Sequence, residues 1–344
     1  MNRYLYMLCL LLCWPVVFPK NLGSFEIHDP LPRQEESTVT EASPHNDVVD
    51  EDEMGVVRIE ISTWREVKNA NEAFKKALAE QARKFHLVLT QDIAHFWLFI
   101  FKAPDRDMEI VIEGKGDTPI SLAGISFTLE AAHITMRNLV IGAVVESSIV
   151  RGRFSKTFVG ERLLFLNNER CLRQYDPFPL VDLVGLKDDA IVNFKDLAFI
   201  RNQELYPLLE IRGKESKAIK SIILDNALFV DNRVSSSLSL DRFKKAKLSG
   251  LRVIYSGNHT FMTLGQGELS IEDSSFEYTS QVIRALRPRR NEVSPVSVHG
   301  VYKQKCDKAP ETELLPTSCC DKKRLESLPK TEVLIKRLKK GDFL

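Results

Sequence analysis

Hydrophobic and polar positions repeat in one frame along the middle of the chain. Ile134-Thr135-Met136-Arg137-Asn138-Leu139-Val140-Ile141 opens the series, and Val192 to Asn202, Ile222 to Asn232 and Leu248 to Asn258 continue it. Phe158 to Asn168 and Leu269 to Phe276 fit the same frame. It reads apolar, any, apolar, any, polar, small or apolar, any, aromatic or aliphatic. The last position is Ile141, Phe165, Phe199, Phe229, Tyr255 and Phe276, at spacings that vary around 27 residues. Alternation with period two inside each unit predicts strands rather than helices. Self-similarity at a nearly fixed period predicts a repeat architecture.

Three residues beyond the last position stand Asn168, Asn202, Asn232 and Asn258, with Thr279 in the final unit. Equivalent residues in a stack of parallel coils lie about 4.8 Å apart, so side-chain amides in one register can hydrogen-bond along the stack as a ladder. Asparagine also satisfies backbone groups at a tight turn and tolerates left-handed φ. A second strand follows each turn: Leu180 to Gly185, Leu208 to Gly213, Ser237 to Asp241, Phe261 to Leu264 and Val282 to Arg284. Each unit is therefore expected to be one coil of short strands. Stacked coils bury a continuous apolar interior, and each touches only its neighbours.

An open coil exposes unpaired edges, so the stack needs a cap. Val67, Ala70, Ala73, Phe74, Ala77, Leu78 and Ala82 recur at helical spacing within Trp64 to Phe85 and predict a capping helix. The strand Leu87 to Leu89 follows, and Ile110 to Gly116 begins the first regular coil. The expected fold is all-β: a single-stranded right-handed parallel β-helix over residues 56–287 with an N-terminal capping α-helix.

The flanks read differently. Asn2-Arg3 precedes an apolar run from Tyr4 to Phe18. That matches a secretory h-region and is shorter than the roughly 20 residues of a membrane span. Residues 1–23 are expected to be a signal peptide or signal anchor. A lipid anchor at Cys13 is disfavoured, because no small residue stands just before it. Residues 24–55 carry Pro30, Pro32, Pro44 and the acidic run Asp50 to Glu53, and predict an acidic disordered spacer. The chain is thus expected to be exported, periplasmic or secreted, with membrane anchoring confined to the N-terminus. Residues 288–344 read as a basic tail in which a short helix near Glu332 to Lys339 covers the last coil. In an oxidising compartment Cys306 could pair with Cys319 or Cys320. A zinc site of His299 with those three cysteines matches no familiar spacing.

Composition narrows the classes. With 44% hydrophobic and 28% charged residues among 344, the chain is neither largely disordered, nor collagen, nor a polytopic membrane protein. Lys+Arg of 48 against Asp+Glu of 47 gives a net charge of +1, so nucleic acid is not an expected partner.

The Ala-rich helix, the strand after it, EIVIEGKGDTPISLAG at 109–124 and HITMRNLVIG at 133–142 resemble the start of the pectin-lyase-like right-handed β-helix superfamily. LLEIRGKESKAIKSIILDNALFVDN at 208–232 is similar to its core coils, and the resemblance covers Arg58 to Ala285. The aromatic-Ile-Asp-His segment of pectate lyases is missing. So are the Asn-Thr-Asp, His-Gly and Arg-Ile-Lys segments of polygalacturonases. Asp188-Asp189 resembles the polygalacturonase paired Asp only superficially and reads as a surface loop.

In that superfamily the substrate lies along a groove on the strand face just after the Asn turn. If Leu183, Ile211, Leu240, Leu264 and Ile283 point inward, alternation sends Asp182, Val184, Glu210, Arg212, Ser239, Asp241, Thr263 and Arg284 outward. Asp182 and Glu210 are then the candidate calcium ligands of a lyase, or the acid and nucleophile of a retaining glycosidase. Arg212 or Arg284 would abstract the proton or position a uronate. The favoured expectation is that Arg212 pairs with Glu210 or Asp241 and neutralises the face. The protein is then a non-catalytic binder of glycan or of an envelope component, or a scaffold, with no cofactor.

Overall fold

The computed structural model describes residues 55–303, apart from 105, 144–147, 169–178, 204–205, 255–259, 278, 280 and 286–294. The chain begins with β1 (Val56–Ile61), α1 (Val67–Ala79), β2 (Lys84–Leu89), β3 (Ile93–Lys102), β4 (Glu109–Gly114), β5 (Ile120–Gly142) and β6 (Val150–Leu166). Then come β7 (Val181–Gly185), β8 (Ile191–Ile200), β9 (Leu209–Gly213), β10 (Ile219–Val230), β11 (Ser236–Asp241), β12 (Phe243–Ser249) and β13 (Arg252–Ile254). β14 (Thr260–Leu264), β15 (Glu268–Glu272), β16 (Ser275–Glu277), β17 (Gln281–Ala285), β18 (Val296–His299) and β19 (Tyr302–Lys303) complete it.

Pairing among these strands is parallel, and the chain winds through about eight turns of a β-helix. Three faces result. The first stacks β1, β2, β4, residues 133–137 of β5, 157–161 of β6, 191–195 of β8, then β10, β12, β15 and β18. The second stacks 139–142, 163–166, 197–200 and 227–230, then β13, β16 and β19. The third stacks β3, 122–130 of β5, 150–154 of β6, then β7, β9, β11, β14 and β17.

Local chemistry explains the corners. Between the first and second faces Asn138, Arg162, Asp196, Asn226, Gly250, Asp273 and Gly300 all adopt positive φ, from 46° to 64°. A left-handed residue bends the strand by one position without breaking the stack. Asn, Asp and Gly tolerate that conformation best, which is why the fifth position of the repeat is polar. At the next corner Ala143, Asn167, Arg201 and Asp231 are also left-handed. The residue after three of them is a buried asparagine.

Those asparagines form the ladder. Asn168 Nδ2 donates to Asn202 Oδ1 at 2.9 Å and to the Ile141 carbonyl at 3.2 Å. Asn202 Nδ2 donates to Asn232 Oδ1 at 2.9 Å and to the Phe165 carbonyl at 3.1 Å. Each acceptor oxygen also takes a backbone N–H, from Asn168 at 3.1 Å and from Asn202 at 3.0 Å. Asn232 Nδ2 continues to the Phe199 carbonyl at 2.9 Å. Asn258 lies outside the described residues. In the strands before it the frame runs two residues earlier than expected: Val253 stands level with Phe229, and Ala246, not Leu248, with Ile222. A shift of two preserves which side chains face inward, so alternation alone gives no warning of it.

The interior is a stack of aromatic and aliphatic columns. Phe165, Phe199 and Phe229 lie nearly parallel at centroid distances of 4.8 and 5.3 Å. Such pairs contribute roughly 0.5–1.5 kcal/mol beyond area burial. At Gly160, level with Phe194, a Cβ would sit 2.4 Å from the Phe194 ring, so one coil yields its volume to the next.

Helix α1 closes the first end. Val67, Ala70, Phe74 and Ala77 are its buried residues, and Phe74 packs on Phe85 and Phe101 at 5.1 and 4.9 Å. The Glu66 carboxylate accepts N–H bonds from Ser62 and Thr63 at 2.8 and 3.1 Å, and these bonds hold its pKa below the ordinary value. At the other end stacking runs past position 287: β18 pairs with β15 and β19 with β16.

The ladder makes a measurable prediction. Asn202→Ala leaves buried partners unpaired on both neighbouring coils. An unsatisfied buried group costs about 1–3 kcal/mol, so denaturant unfolding should show a loss of that order. An unchanged midpoint would remove the ladder from the energetics.

Candidate functional site

The third face carries the candidate residues as a row. In register along it stand Thr128, Arg151, Asp182, Glu210, Ser239, Thr263 and Arg284. A second row, two residues on, holds Glu130, Arg153, Val184, Arg212, Asp241 and Gly265. Leu183, Ile211, Leu240, Leu264 and Ile283 are buried in the core, as alternation demands.

Asp182 and Glu210 are direct register partners on adjacent coils. Two carboxylates one strand spacing apart repel unless a cation stands between them. Arg212 is that cation. Its Nη2 donates to Asp182 Oδ1 at 3.1 Å, and its Nε lies 3.3 Å from Glu210 Oε1. Asp182 is itself buried. Asp241, level with Arg212, pairs instead with Arg242 at 3.2 Å. Arg284 stands in the same row as Glu210 but three coils away, about 14 Å at one strand spacing per coil. The structure therefore brings together Asp182, Glu210 and Arg212 and leaves Arg284 apart. Asp188 is exposed on a loop, where its carboxylate takes the Ala218 N–H at 2.9 Å and the Lys217 ammonium at 3.1 Å.

Burial is the largest influence on Glu210 and pushes its pKa up. Arg212 opposes that shift, while Asp182 and Asp241 reinforce it. A carboxyl so placed resists ionising. Among the described residues no cluster of three or more His, Cys, Asp or Glu side chains converges as a metal site. The cysteines Cys306, Cys319 and Cys320 lie outside the described residues.

Comparison with known proteins adds no family. No family model, no curated protein and no solved structure matches the sequence. The site must be read on its own chemistry.

Two constellations escaped the sequence reading. On the first face His86 Nε2 lies 2.9 Å from Glu113, whose other oxygen takes Arg137. Burial lowers the His86 pKa against the pull of Glu113. These residues sit in unlike local sequences, and only the register of β2, β4 and β5 joins them. The second is a row of exposed apolar side chains on β3, Phe96, Leu98 and Ile100, ending at Lys102. Trp64 is exposed as well and packs on His95 at 4.9 Å, with Arg65 over its ring. The available signal was the unbroken apolar run Phe96 to Phe101, in which a strand must turn every second side chain outward.

The raised pKa of Glu210 fixes a pH dependence. The native carboxyl holds its proton more tightly than the unfolded one, whose value is near 4.5. Stability from this group is therefore fully present below the unfolded pKa and declines as pH rises through the native one. Glu210→Gln should melt higher than the parent at about pH 7 and lose that advantage by about pH 4. A variant that melts lower near neutrality would show that Arg212 outweighs burial.

Proposed function

We propose that this is an exported, non-catalytic β-helix that binds glycan and spaces components of the cell envelope, within the pectin-lyase-like architecture its sequence resembles. The observation that carries the reading is the Asp182–Arg212–Glu210 arrangement. A lyase needs free carboxylates to hold calcium against a uronate. A retaining glycosidase needs one protonated carboxyl and one open nucleophile. Here Arg212 occupies both acids, and the face is self-neutralised.

The glycan-facing surface in this reading is the N-terminal coil. Trp64 and Phe96 present aromatic rings to water, 52% and 63% exposed, with Arg65 over the Trp64 ring and Lys102 at the far end of β3. Exposed apolar patches of this kind mark interaction sites. Apolar sugar faces stack on such rings, and uronate carboxylates pair with the flanking cations.

The test is a screen of the purified protein against acidic and neutral polysaccharides, with calcium and with chelator. We expect retention without release of unsaturated or reducing-end products, and weaker retention of Trp64→Ala and Phe96→Ala. Calcium should leave the melting temperature unchanged, because a ligand that binds only the native state would raise it. Product formation or calcium stabilisation that disappears in Asp182→Asn would replace this reading with a lyase or hydrolase. Absence of retention on every polysaccharide would leave the spacing role alone.

A further inference from the structure

Where the chain passes from the third face to the first, successive coils carry exposed lysines. Lys187 lies in the turn after β7, Lys214 and Lys217 in the turn after β9, and Lys220 near the start of β10. Lys244 and Lys245 follow in β12, one coil on. All six are exposed. Ile219 pairs with Phe243 and Ser221 with Lys245, so Lys220 stands level with Lys244, about 4.8 Å away across the strands. No other register pair among the described strands sets two lysines or arginines level. Like charges directly opposite destabilise a sheet. Of the six, only Lys217 forms an ion pair among the described residues, with Asp188 at 3.1 Å. Asp189, Glu215 and Glu268 are the exposed acids beside them, so cations remain in excess. Asp188 senses the field they make. Its pKa is held below the ordinary value, first by the Ala218 N–H and then by Lys217, with Lys244 adding to it from two coils on.

We infer that this lysine ridge is a second glycan-binding surface, which takes a polysaccharide bearing carboxylates or sulfates. It rests on the glycan reading above and adds a charged surface on the β7–β12 coils, apart from Trp64 and Phe96. The chemistry selects this partner. The large apolar side chains exposed among the described residues are Trp64, Phe96, Leu98, Ile100 and Tyr206, and none belongs to the ridge. Phe243, beside Lys244, is buried. The ridge therefore offers no apolar wedge to a bilayer and no platform on which bases stack. Bidentate capture of phosphate favours arginine. Arg242, the arginine of these segments, is held by Asp241 at 3.2 Å and by the Glu215 carbonyl. Lysines are mobile point charges, and they suit a hydrated chain whose charges recur along its length. Two coil steps separate Lys187 from Lys244, about 10 Å along the stack, so one polymer chain meets several cations at once. Its anions relieve the repulsion that the fold leaves between Lys220 and Lys244.

The test uses the purified full chain, with polygalacturonate and heparin as acidic probes and dextran as the neutral one. On the unaltered chain, either acidic probe should slow acetylation of Lys220, Lys244 and Lys245 severalfold, and dextran should not. Lys220→Gln with Lys244→Gln should bind the acidic probes about tenfold more weakly, with a shallower salt dependence. Its melting temperature should be unchanged or higher, because a like-charge pair is gone. Lys75→Gln with Arg83→Gln removes as much charge from other exposed positions and should bind like the parent. Equal losses in the two double variants, lysines left unprotected, or a lower melting temperature in the first would overturn the inference. So would tighter binding to phosphatidylglycerol vesicles or to duplex DNA than to either acidic polysaccharide. Trp64→Ala separates the two surfaces. If it abolishes retention while the lysine variant binds like the parent, the ridge falls and the N-terminal surface stands. The reverse pattern keeps the ridge and removes the N-terminal surface.

Discussion

Each coil must turn its corners without stranding a buried peptide group. A parallel sheet satisfies backbone N–H and C=O groups along its strands, but at a corner the ladder of bonds stops. The amides of Asn168, Asn202 and Asn232 take over there: the first two each donate both to the next amide and to a carbonyl of the coil before, and Asn232 donates to the Phe199 carbonyl. Every other feature presupposes this. The register that stacks the Phe columns, and the register that faces Asp182 with Glu210, exist because successive corners superpose.

Superposition has an electrostatic consequence. Equivalent residues sit one strand spacing apart, so a charge repeated in the sequence frame meets its own kind. The outer faces avoid this by alternating sign along the stack. Lys84 meets Glu109 and Glu113 meets Arg137 in register, and Lys247 reaches Glu272 two residues along the next coil. These pairs are mostly exposed, and each is worth at most about 1 kcal/mol. Asp182 with Glu210 breaks the alternation, and Arg212 repairs it from the neighbouring row. The site is thus the one place among the candidate residues where the rule is violated and then compensated.

The repeat was legible because its corners constrain residue type. Polar left-handed positions and buried asparagines write the period into the sequence, while the inward columns need only to be apolar. Legibility failed where that constraint relaxes. In the 243–254 coil Gly250 replaces Asn226 at the left-handed corner, and the polar marker that fixes register is gone. The alignment then slid by two and set Leu248 level with Ile222, where strand pairing puts Ala246. The candidate acids were readable from alternation, but the reach of Arg212 to Asp182 was not. It crosses from one coil to another and from one row to the next, and no spacing in sequence encodes it. His86, Glu113 and Arg137 were hidden for the same reason.

The two ends of the stack differ in how they meet water. At the first end α1 lays Phe74 against Phe85 and Phe101, and the opening coil is sealed. At the other, Val296 and Val298 continue the inward columns of Leu269 and Ile271 but are only half-buried. A strand edge with half-covered apolar side chains is a template for unwanted pairing. Natural solenoids meet this with a polar or helical terminal unit. Among the described residues, β18 and β19 carry that demand at this end.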